Sequence, residues 1–67
     1  MDKPTDNRKK LQDQEARDGY YRVAEGIHML AEVAAIEEDA TLAALQIRMQ
    51  KAVDATKRHL DKNYIWD

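Results

Sequence analysis

The chain has 67 residues, a net charge of −2, and neither cysteine nor serine. That length allows one domain at most and excludes disulfide staples and a thiolate metal site, while the usual side-chain nucleophiles are missing. A domain this small buries only about 60% of its unfolded surface, so a second copy or another protein is the expected source of further stability.

Residues 1–10, "MDKPTDNRKK", form a polar, flexible arm with a candidate helix cap at Thr5 or Asp6. No apolar core follows it, so it does not read as a secretion signal. Nor does any apolar run approach the roughly 18 residues of a membrane span. Together with the lack of cysteine, this points to a cytoplasmic protein that makes no membrane contact.

From Ala16 an apolar period begins: Ala16, Tyr20, Val23, Ile27, Leu30, Ala34. Its alternating steps of four and three make a heptad seam, and Asp18, Glu25 and Glu32 line the opposite, solvated side. Gly19 and Gly26 sit seven residues apart on one flank, where a neighbouring helix could approach closely. A second period runs Leu42, Leu45, Met49, Ala52, Thr56, with Val53 and Leu60 on the adjoining stripe.

The seam loses phase between Ala34 and Leu42, at the acidic "EED" of residues 37–39. Acids suit the start of a helix and oppose its end, because of the macrodipole. Asp39 is a suitable N-cap for a helix opening at Ala40. The expected fold is therefore all-α, an antiparallel two-helix hairpin over residues 11–62 with its turn near 37–39. One continuous helix is the rival reading, since the eleven-residue step from Ala34 to Leu45 nearly preserves a face.

Charge is unevenly spread. Residues 1–22 are net +1, residues 23–47 net −5 and residues 48–67 net +2. Folded as a hairpin, the chain is acidic at the turn and basic at the open end, which favours antiparallel pairing with a second copy. Residues 63–67 form an aromatic tail containing Tyr64, Ile65 and Trp66. Such a tail either seals the open end of the core or anchors a partner, because Trp and Tyr dominate binding hot spots.

The chain also has more apolar surface than one hairpin can use. Met29, Val33 and Ile36 lie off the first seam, and Ile47 lies on the back of the second helix. An exposed patch of these residues marks an interaction site. About ten seam positions, each worth at most about 1.5–3 kcal/mol, do not clearly outweigh the entropy of ordering two helices. Pairing into a homodimeric four-helix bundle is the expected remedy.

No chemical constellation emerges. Glu25 and His28 have the i, i+3 spacing of bundle di-metal sites, but no Glu follows residue 38 to complete the set. No metal, cofactor or catalytic residue is expected, and the chain reads as a non-enzyme. The expected function is protein–protein interaction as an adaptor, regulator or inhibitor. The candidate partner-binding residues are Met29, Val33, Ile36 and Ile47 near the turn, with Tyr64, Ile65 and Trp66 in the tail. The alternative is a nucleic-acid-binding regulatory dimer, based on Arg8, Lys9, Lys10, Arg17, Arg22 and Arg58 near Tyr20 and Tyr21. In its two-helix plan and the Asp39–Ala40 step at the turn, the chain resembles the ROP type of plasmid regulator. That likeness implies a dimer that binds paired RNA hairpins, and it carries over no residue role.

Overall fold

The computed structural model describes residues 8–66. Two helices, α1 (Glu15–Ile36) and α2 (Ala40–Asn63), pack against each other as a hairpin. Two short strands flank them, β1 (Lys9–Lys10) and β2 (Tyr64–Ile65), paired in parallel with Lys9 opposite Tyr64 and Lys10 opposite Ile65. The chain is thus two helices rather than one continuous rod.

The expected caps Thr5 and Asp6 lie outside the described residues; α1 opens later, at Glu15. Gln14 occupies the cap position without a side-chain bond, and Asp13 serves instead. Its Oδ1 accepts from the Glu15 N–H at 3.0 Å, and its carbonyl accepts from the Ala16 N–H at 3.1 Å. Glu15 and Asp18 in the first turn complement the positive end of the helix dipole.

The turn at residues 37–39 closes one helix and opens the next with few atoms to spare. The Asp39 N–H donates to the Ala34 carbonyl at 2.9 Å, and the Glu38 N–H to the Ala35 carbonyl at 3.3 Å. These two bonds define a Schellman motif. Its left-handed position, usually glycine, is held by Glu38 with φ 52°. Asp39 then caps α2, its Oδ1 accepting from the Leu42 N–H at 2.9 Å.

The seam between the helices differs from the heptad expectation. On α1 it uses Tyr20, Ala24, Ile27, Ala31 and Ala34, and on α2 Leu42, Gln46, Gln50, Val53 and Leu60. Val23, Leu30, Leu45 and Met49, all placed on the expected seam, stand exposed. The buried line on α1 is rich in alanine, with Ala24, Ala31 and Ala34, and the bulkier Val23 and Leu30 stand to one side of it. The resulting core is thin: of the described hydrophobic residues, only Ile27, Ala34, Val53 and Trp66 are buried.

Candidate functional site

A helix advances about 100° per residue, so the exposed apolar positions can be placed on faces. On α1, Val23, Leu30, Gly19, Gly26 and Val33 fall on one side of the Ile27 line. On α2, Met49, Thr56, Leu45 and Ala52 fall on one side of the Val53 line, at matching offsets. Both helices are right-handed and run in opposite directions, so equal offsets point to the same side of the two-helix layer. Those residues therefore form one continuous face. Val23 is 56% exposed on it, and Leu30, Val33, Leu45 and Met49 are exposed as well. A Cβ added at Gly19 or Gly26 would meet nothing within 4 Å.

The opposite face is partly covered. Trp66 is 9% exposed and meets Tyr20 edge-on, with ring centroids 5.1 Å apart. It also stacks on Tyr21 at 6.0 Å, while Tyr20 and Tyr21 meet edge-on at 5.2 Å. Beside this cluster Lys10, Leu11, Gln14, Arg17, Ile65 and Trp66 line an open cleft. Towards the turn the same side has a shallow groove lined by Ala31, Ala35, Ala40 and Ala43.

Asp61 ties the open end together. Its Oδ2 accepts from Lys57 Nζ at 2.7 Å, its Oδ1 from Trp66 Nε1 at 2.8 Å, and its carbonyl from Arg8 at 3.3 Å. The Lys57 bond first, and the Trp66 bond second, hold the Asp61 carboxyl below its ordinary range. Lys57 is pushed up in return, through the same hydrogen bond and charge. The Leu11 N–H donates to the Ile65 carbonyl at 3.1 Å, continuing the strand pairing.

The candidate partner-binding residues divide among these surfaces. Met29 and Ile36 lie on the back of α1, with Ile36 the most exposed large apolar residue at 77%. Val33 bridges from that stripe to the open apolar face. Ile47 is 52% exposed but belongs to the other side, beside the alanine groove, so these four do not form one patch. In the tail, Ile65 is exposed, Tyr64 is half-buried and Trp66 is packed on the tyrosines. The heptad seam places Val23, Leu30, Leu45 and Met49 in the hairpin core, whereas the structure exposes them. The open glycines on the same flank were the available signal.

His28 Nε2 lies 3.6 Å from Glu32 Oε1, with both side chains largely exposed. Among the described residues no three His, Cys, Asp or Glu side chains are grouped to hold a metal ion. None of the described helices is long and apolar enough to cross a membrane. No family model matches the chain, and neither a curated protein nor a solved structure resembles it significantly.

Proposed function

We propose that the chain is a non-enzymatic interaction protein of the cytoplasm, an adaptor, regulator or inhibitor, that works as a homodimer and binds a second protein. One observation carries this reading. Among the described residues, ten large apolar side chains are exposed, whereas four hydrophobic residues are buried. A soluble protein rarely leaves contiguous apolar surface of this kind bare unless another molecule covers it. The second protein is captured by the back of α1 near the turn, through Met29 and Ile36. Affinity capture with the tagged full chain tests this. Ile36→Asp is expected to abolish recovery of the partner, and unchanged recovery would count against the reading.

A second reading, a nucleic-acid-binding dimer, is favoured by Lys10 and Arg17 lining one cleft with Trp66 beside the exposed Tyr21. Phosphate contacts would make its affinity fall steeply with salt. A gel shift with paired RNA hairpins at increasing salt separates the two readings.

A further inference from the structure

The face made by Val23, Leu30, Leu45 and Met49 has a definite occupant and orientation. We propose that it seats a second copy of this chain turned end for end, α1 lying antiparallel on α1 and α2 on α2. This deepens the self-association in the reading above and rests on it.

Three observations select this face and this occupant. The first is coverage. Trp66, β1 and β2 lie over the flank carrying Tyr20, Tyr21 and Arg17, while Gly19 and Gly26 on the other flank face open space. Among the described residues, only the uncovered flank offers a full-length apolar face.

The second is charge. With the turns together, two segments of net −5 would adjoin. With the copies end for end, the acidic turn of each copy (Glu37, Glu38 and Asp39) lies towards the other copy's open end, where residues 8–14 and 57–66 are each net +2. Charge complementarity of this sort fixes orientation more than affinity.

The third is shape. The centre of α1 falls between Glu25 and Gly26, and that of α2 between Lys51 and Ala52. A two-fold axis through those centres places Gly26 against the second copy's Gly26 and Ala52 against its Ala52. Small residues at the crossing let the backbones approach closely. Val33 and Gly19 lie seven residues either side of Gly26, so the valine of each copy meets the glycine of the other.

The area suffices. The 22 residues of α1 span about 33 Å, and two helices are about 20 Å wide, giving about 660 Å² per copy. The total, about 1,300 Å², lies within the range of specific stable interfaces, about 1,200–2,000 Å².

The absence of native cysteine makes the arrangement directly testable. Full-length Ala52→Cys and Gly26→Cys are each oxidised mildly and run without reductant, and the unmodified chain is sized by sedimentation. The expected result is a dimer in which each variant, alone, links to itself and doubles in mass. A disulfide requires Cα atoms within about 7 Å, which only the end-for-end pairing provides at both positions. If the chain sediments as a dimer but neither variant self-links, this arrangement is overturned while self-association stands. If the chain sediments as a monomer, both fall. Leu30→Glu and Met49→Glu are expected to abolish the dimer and Ile36→Asp to leave it intact; the reverse pattern also overturns the proposal.

Discussion

Trp66 Nε1 donates to Asp61 Oδ1 at 2.8 Å, and the indole thereby stays fixed against Tyr20 and Tyr21. The tail is held by a hydrogen bond at its polar edge and by aromatic packing on its faces. Removing the ring leaves a void beside Tyr20, and truncating a buried Trp costs about 3 kcal/mol or more. Trp66→Ala is therefore expected to lower the melting temperature by several degrees in thermal circular dichroism. An unchanged melt would mean that the tail is not part of the folded unit.

Because Trp66 is the only tryptophan, its emission reports tail docking alone. Asp61 is held below its ordinary value of 3.8 in the folded chain. Its contribution is therefore complete above that value and is lost as pH falls through the folded pKa. Lys57, raised above 10.5, contributes below that value and loses its effect as pH rises past the folded pKa. Emission is expected to hold steady through neutral pH and to shift to the red in acid. Asp61→Asn is expected to remove most of that acid transition, and an identical transition in the variant would contradict this account of Asp61.

Glu38 is the one described non-glycine residue with positive φ. A left-handed L-residue costs about 1–2 kcal/mol, partly offset by the greater chain entropy that glycine loses on folding. Glu38 also places a negative charge at the negative end of the α1 dipole. Glu38→Gly is expected to stabilise the hairpin by about 0.5–1 kcal/mol, seen as a higher melting temperature. A lower one would mean that the Glu38 side chain makes a contact worth more than its strain.

Asp39 supplies the opposite case. It accepts from the Leu42 N–H while its own N–H closes α1, so one residue serves two helix ends. Asp39→Ala removes only the side-chain bond and is expected to cost about 1 kcal/mol in chemical denaturation. Asp39→Asn, which keeps the acceptor, is expected to recover most of the loss.

Much of this architecture can be read in the chain because it rests on local physics. The break in apolar phase before Leu42, the acids at 37–39 and the capping power of Asp39 all act over a few residues. The pairing of β1 with β2 could not be read, since two-residue strands carry no periodicity and Lys9–Lys10 shows no β preference. The left-handed Glu38 was equally hidden, because glycine is the residue that announces that conformation. Faces were the harder matter. Heptad spacing fixed which side of each helix is apolar, yet an arc running from Ala24 past Ile27 to Leu30 and Val33 is wider than one neighbour can cover. Spacing cannot say which part of that arc meets α2. The burial of Ala34 and the partial burial of Ala31 mark the part that does. Ile47 and Ile36 part for a related reason: proximity to the turn says nothing about which side of the layer a residue occupies.

The central claim is that the face bearing Val23, Leu30, Leu45 and Met49 is covered by a second copy. Sedimentation equilibrium of the full chain across micromolar concentrations tests it most directly. A mass of twice 7.8 kDa, with a melting temperature that rises with concentration, is the expected result. A mass of 7.8 kDa with a cooperative melt independent of concentration would contradict it.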